Sequence, residues 1–138
     1  MIIREPKWKS YAVETTGPIF TSKLCQEIID LSKTLEKQKG KLILDGNLNN
    51  TIRKSTINWI PFDKMQLVYT DINSFIQKTN KNHFGFNDVE ITEEAQVSEY
   101  SKGDFYDWHT DTSIDMDKEP PVRKLSMTLL LNDPSEFE

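Results

Sequence analysis

The chain has one cysteine, Cys25, so no disulfide can form within it. Cys25 falls on the apolar side of a predicted helix, where a buried small hydrophobe is the expected role rather than a nucleophile. No apolar stretch approaches the roughly 20 residues that span a bilayer, so no transmembrane segment is read. The opening MIIREPKWKS has neither a long apolar core nor a small-residue cleavage site, and a cytoplasmic protein is expected. Histidine is scarce: His83 and His109 are the only two in 138 residues. Internal repeats, low-complexity tracts and Pro/Gly-rich linkers are also lacking, which leaves residues 1–138 as one expected domain.

What is present has a soluble balance, with 36% hydrophobic and 28% charged residues. The 17 basic and 22 acidic side chains leave a net charge of −5, which argues weakly against a nucleic-acid backbone as the main partner. The basic group Lys33, Lys37, Lys39 and Lys41 is interspersed with apolar helical positions and reads as a solvated helix face.

Residues 1–88 read as a helix-rich support region. A short strand is expected over 10–16, then a helix over about 21–39 with the apolar stripe Leu24, Ile28, Leu31 and Leu35, stopped by Gly40. Residues 41–44 and 52–60 look like the strands of a hairpin around a turn-rich 45–50. Asp63, with Gln66 three residues on, predicts a capped second helix burying Met65, Val68, Ile72, Phe75 and Ile76. From Val89 the period changes to two, giving a β-rich region over 89–138 that includes Tyr100 to Asp111, an acidic loop, and a strand over 122–131. Helices first and strands later indicate an α+β layout, with helices supporting a sheet.

The chemistry concentrates in the stretch 100–111. On a strand, His109 and Asp111 project from one face, so an imidazole nitrogen and a carboxylate oxygen can meet one ion. That is two-thirds of a two-histidine-one-carboxylate triad, whose open positions suit Fe(II). The bland alternative is a surface histidine beside a turn aspartate. A Zn(II) hydrolase is a rival, although zinc prefers three strong protein ligands. A calcium module is another, on Asp107, Asp111, Asp115, Asp117 and Glu119, but the spacing fails the EF-hand loop and a solvated acidic loop fits better.

Tyr100-x-x-Gly103-x-x-Tyr106-x-x-His109-x-Asp111, followed by Arg123-x-x-Ser126 and Leu129-Leu130-Leu131-Asn132, resembles the prolyl 4-hydroxylase-like group of Fe(II)/2-oxoglutarate-dependent oxygenases. Ile52-Arg53-Lys54-Ser55 with Trp59, and the helix from Leu24 to Leu35, extend the likeness over most of the chain. The resemblance implies a double-stranded β-helix, a jelly roll, with supporting helices ahead of it. It further implies Fe(II), 2-oxoglutarate as cosubstrate, dioxygen, and ascorbate as a reductant. By position, His109 and Asp111 become iron ligands and Tyr100 a donor to 2-oxoglutarate. Tyr106 lines the substrate side or is a cross-strand aromatic contact, Gly103 supplies a turn, and Arg123 meets substrate or pairs with the acids of 115–119.

Many members carry a cosubstrate-binding tyrosine where this chain has Leu130. Ser126 and Thr128 share its strand parity and are candidate replacements. The family places its distal histidine, and a basic residue that anchors the cosubstrate, downstream of position 132. The resemblance therefore implies that the chain is a fragment, with His83 a loop residue rather than the third ligand. The substrate would be peptidyl proline, another side chain, a small molecule or a nucleobase. A jelly-roll module that binds metal or serves structure without catalysis is the alternative.

Overall fold

The computed structural model describes residues 10–40, 43–44, 47–48, 52–109, 111 and 123–136. The expected turn at 45–50 and the acidic residues Asp115, Asp117 and Glu119 fall wholly or mostly outside them. The elements are α1 (Ser22–Thr34), β1 (Gln38–Lys39), β2 (Ile43–Leu44), β3 (Asn47–Leu48), β4 (Arg53–Lys54), β5 (Thr56–Ile60), α2 (Gln66–Thr79), β6 (Ala95–Glu99) and β7 (Phe105–Tyr106). The protein mixes helices with small antiparallel sheets, ordered β1-β5-β6, β2-β3 and β4-β7. It divides into two compact units, Met1–Ile19 with Phe62–Glu93, and Phe20–Pro61 with Glu94–Glu138.

In the second unit, Thr21 caps α1 by accepting a hydrogen bond from the Leu24 amide at 3.2 Å, which satisfies one of the donors a helix start leaves free. The expected stripe faces inward: Ile28 is buried, and Leu24, Leu31 and Leu35 are half-buried. Cys25 is half-buried rather than buried. The helix ends at Thr34, before the expected Gly40 stop, with Leu35 extended at φ −89°, ψ 160°. Asn58 supplies the reason. Its side chain is 2% exposed, and Nδ2 donates to the carbonyls of Leu35 and Glu36 at 3.4 and 3.1 Å. A buried amide must be satisfied, so this tertiary capture fixes the segment in place of further helical turns.

The expected hairpin of 41–44 with 52–60 is not the one formed: Ile43 and Leu44 pair instead with Leu48 and Asn47, inside the expected turn, and the partner of β5 is β1, with Gln38 opposite Ile57 and Lys39 opposite Thr56. β5 then pairs along its length with β6, from Thr56 opposite Glu99 to Ile60 opposite Ala95. Gly40 lies where backbones crowd: its amide donates to the Ser55 carbonyl at 2.8 Å. A Cβ there would collide with the Ser55 hydroxyl and stand 2.9 Å from Arg53 Nε. Gly103, at φ 83°, turns the chain between β6 and β7, since an L side chain resists that conformation. Asp104 closes the turn from both sides, its amide donating to Ser101 O at 2.8 Å and its carboxylate accepting from the Ser101 amide at 2.9 Å.

The first unit differs from expectation at two points. Residues 10–16 form no strand. The second helix is preceded by a 3-10 turn, Phe62–Lys64, and begins after Met65 without a side-chain cap; Asp63 is used within that turn and forms no capping box. Val68 and Tyr69 are its buried residues, while Ile72, Phe75 and Ile76 are half-buried. α2 runs into a π-helical turn, Asn80–Phe84, that carries His83. Asn80 holds this turn by exchanging two hydrogen bonds with the Phe86 backbone, at 2.8 and 2.9 Å.

The β-rich half is less laddered than its pattern predicts. Among the described residues strand pairing starts at Ala95, not Val89, and 123–131 has no ladder. Exposure still alternates there, with Leu125, Met127, Leu129 and Leu131 half-buried and Ser126, Thr128 and Leu130 exposed.

Candidate metal centre

β4 and β7 build the site. They pair antiparallel with Arg53 opposite Tyr106 and Lys54 opposite Phe105. Immediately after β7 the Asp107 amide donates to the Ile52 carbonyl at 2.8 Å, so the β4 edge still controls the backbone there. The chain then bends at Trp108, where the Asp107 carboxylate accepts from the Trp108 amide at 2.8 Å. His109 and Asp111 thus follow a turn and do not lie on a regular strand, yet their side chains converge. Nε2 of His109 stands 3.2 Å from Oδ1 of Asp111. The His109 side chain is 24% exposed and that of Asp111 44%.

Hydrogen bonding assigns the proton on the imidazole. His109 Nδ1 lies 2.7 Å from the Asp107 carbonyl oxygen. A carbonyl only accepts, so Nδ1 carries the hydrogen, and in the neutral ring Nε2 presents a lone pair. That lone pair faces a carboxylate, which also only accepts. Two acceptors 3.2 Å apart are compatible when a cation, proton or metal, is shared between them. The donor set, one imidazole and one carboxylate, fits a divalent transition metal. Among the described residues no third histidine, cysteine, aspartate or glutamate joins them.

The surroundings fix both groups. The Tyr106 ring stacks on the imidazole, centroids 3.7 Å apart and planes 12° from parallel. The Ser126 hydroxyl hydrogen-bonds the Asp111 carboxyl and, with the positive charge of His109 when protonated and of Arg123, holds its pKa below the ordinary carboxylate value against partial burial. Arg123 Nη1 also donates to the Asp111 carbonyl at 2.9 Å. Burial raises the Tyr106 phenol above its usual pKa, and Arg53 partly offsets this. An open hollow of about 390 Å³ beside the pair is lined by Tyr106, Asp107, Trp108 and His109. Its Trp108 wall is 98% exposed.

The expected site residues distribute as follows. His109, Asp111, Tyr106, Arg123 and Ser126 come together. Tyr100, 46% exposed, is near enough for its charge to act on the Tyr106 phenol. Thr128 is exposed on the same extended segment as Ser126. His83 belongs to the other unit. Two contributors were missed. The sequence places Asp107 among the acidic-loop ligands, although an aspartate two before the histidine also signals a turn. Arg53 enters the sequence only within the resemblance; its signal is the polar pairs Arg53-x-Ser55 and Gln96-x-Ser98 on strands otherwise patterned for burial.

Compared with known proteins, the chain matches no protein-family model, and no curated protein or solved structure shows significant similarity to it.

Proposed function

We propose that this chain provides part of the metal centre of an Fe(II)- and 2-oxoglutarate-dependent dioxygenase that hydroxylates a C–H bond, with peptidyl proline as the first substrate to test. One observation carries the reading: with Nδ1 donating to Asp107 O, His109 Nε2 converges on Asp111 Oδ1 at 3.2 Å, an imidazole and a carboxylate placed to share a proton or a metal ion. An imidazole and a carboxylate are ligand types of the Fe(II) facial triad, whose remaining positions stay open for cosubstrate and dioxygen. The fold that accompanies this reading is part of a double-stranded β-helix. The alternating exposure of 123–131 and the antiparallel pairing of β4 with β7 support it.

When bound, Fe(II) would supply the redox chemistry, with dioxygen as the oxidant: one oxygen atom goes to succinate as 2-oxoglutarate loses carbon dioxide, and the other to the substrate C–H bond. The chain's residues hold and orient. His109 offers Nε2 because Asp107 O occupies Nδ1, the usual way an outer partner fixes a metal-binding tautomer. Ser126 and Arg123 keep Asp111 ionised and in place. Tyr106 closes one side of the imidazole, and the open hollow beside Trp108 is where a substrate side chain would approach. Tyr100 and Thr128 are the hydroxyls to test as cosubstrate donors.

Anaerobic addition of Fe(II) and 2-oxoglutarate should produce a weak visible charge-transfer band, absent in the His109→Ala variant. A flat spectrum in the wild-type chain argues against the oxygenase reading. A second reading, a metal-binding or structural module without catalysis, is favoured by the presence of only two clustered ligands among the described residues. Metal binding with no 2-oxoglutarate band would select it.

A further inference from the structure

Arg53 is 7% exposed, and a guanidinium cannot shed its charge by deprotonating. Burying it is costly unless it is well paired. Among the described residues it has no carboxylate partner. Its hydrogen bonds go to neutral acceptors: Nε donates to Ser55 Oγ, and Nη2 to Gln96 Oε1 and Ser98 Oγ, each at 2.8 Å. An apolar side chain would fill such a position at lower cost if packing were the sole requirement.

The remaining partner of the guanidinium is an aromatic face. Cζ stands 4.5 Å from the Tyr106 ring centroid, within reach of a cation–π attraction, which strengthens when the cation is removed from water. Tyr106 in turn lies parallel to His109 at 3.7 Å. A second path leads from the same strand edge to the same imidazole. Ile52 O accepts from the Asp107 amide at 2.8 Å, and Asp107 O accepts from His109 Nδ1 at 2.7 Å. One path fixes the plane of the ring and the other its tautomer, and both start at adjacent residues.

We propose that Arg53 is a positioning residue: its buried guanidinium, forked into Ser55, Gln96 and Ser98, clamps the Tyr106 ring against His109 so that Nε2 is aimed at Asp111. The functional meaning of this clamp rests on the reading of His109 as a metal ligand, but the clamp itself does not. Gly40 is part of the device, because its missing Cβ leaves room for the Arg53 Nε to Ser55 contact.

The test uses the full 138-residue chain, ¹⁵N-labelled and metal-free. With two histidines, His83 serves as the internal reference. Long-range ¹H–¹⁵N correlation should show His109 protonated at Nδ1, with ring protons shifted upfield by Tyr106. Arg53→Met should move the His109 ring nitrogen and proton shifts toward those of free histidine and leave His83 unmoved. Arg53→Lys, which retains a cation over the ring, should recover part of the wild-type pattern. Co(II) affinity should fall about 10- to 100-fold in Arg53→Met, the usual effect of losing an outer partner of a metal-binding histidine.

Wild-type His109 signals in a folded Arg53→Met chain overturn the proposal, whatever urea denaturation shows for stability. Should Arg53→Met not fold, Tyr106→Leu keeps the hydrogen bonds of Arg53 and must displace the His109 signals in the same way; unchanged signals there also overturn it. If the signals respond as expected while the wild-type chain binds no Co(II), the clamp stands and the metal reading fails.

Discussion

The phenol ring of Tyr106 lies between two cationic or potentially cationic groups, with the Arg53 guanidinium 4.5 Å from its centroid and the His109 imidazole 3.7 Å from it. Burial is the largest influence on the phenol and raises its pKa, while Arg53 acts in the opposite sense. A tyrosine whose folded pKa exceeds its unfolded value contributes stability that is complete below the unfolded value and is lost as pH rises through the folded one. Ultraviolet titration of the folded chain should therefore contain a late-ionising component that Tyr106→Phe removes. Retention of that component in the variant would show that burial at Tyr106 is not its source.

The Lys54–Asp104 pair makes a separate prediction at the same strand edge. Lys54 Nζ lies 2.9 Å from Asp104 Oδ1, and the Ser101 backbone bond, followed by Lys54, holds the Asp104 pKa below the ordinary value. The sign is that of a depressed carboxylate: its contribution is present above the unfolded pKa, about 3.9, and is lost as pH falls through the folded one. Asp104→Asn should be less stable than wild type at neutral pH, and the gap should close as pH drops below about 4. Urea denaturation across that range measures it, and a gap independent of pH contradicts the assignment.

These two groups illustrate what was legible in the sequence. The i, i+3 and i+4 apolar spacing of α1 located the helix and its inward stripe, because that face is set by local periodicity alone. Its end was hidden, since the Asn58 amide that captures Leu35 and Glu36 comes from more than twenty residues away. His109-x-Asp111 stood out by residue type. The reason the side chains converge was read incorrectly as strand parity, whereas the structure uses the bend after Asp107. Arg53 was hidden because an arginine in a strand ordinarily suggests surface, and only the tertiary meeting of β4, β6 and β7 shows its neutral acceptors and its aromatic partner.

Gly40 offers a check on the crowding behind the site. A methyl group there meets Ser55 Oγ and Arg53 Nε, whereas Gly17 has nothing within 4 Å. Gly40→Ala should destabilise the fold by about 1–3 kcal/mol, the range for overpacking a filled interior. Gly17→Ala should stay within about 0.5 kcal/mol of wild type, as expected for an open position. Equal stabilities of the two variants in urea would mean that the contact beside Arg53 is not tight.

On the proposed function, His109 and Asp111 together hold one divalent cation. Titration of the metal-free chain with Co(II), followed by its visible absorption, measures this directly. Saturable binding of one ion is expected, lost in both His109→Ala and Asp111→Ala and retained in His83→Ala. Binding of equal strength in the wild type and in His109→Ala, or no binding by the wild type, would contradict it.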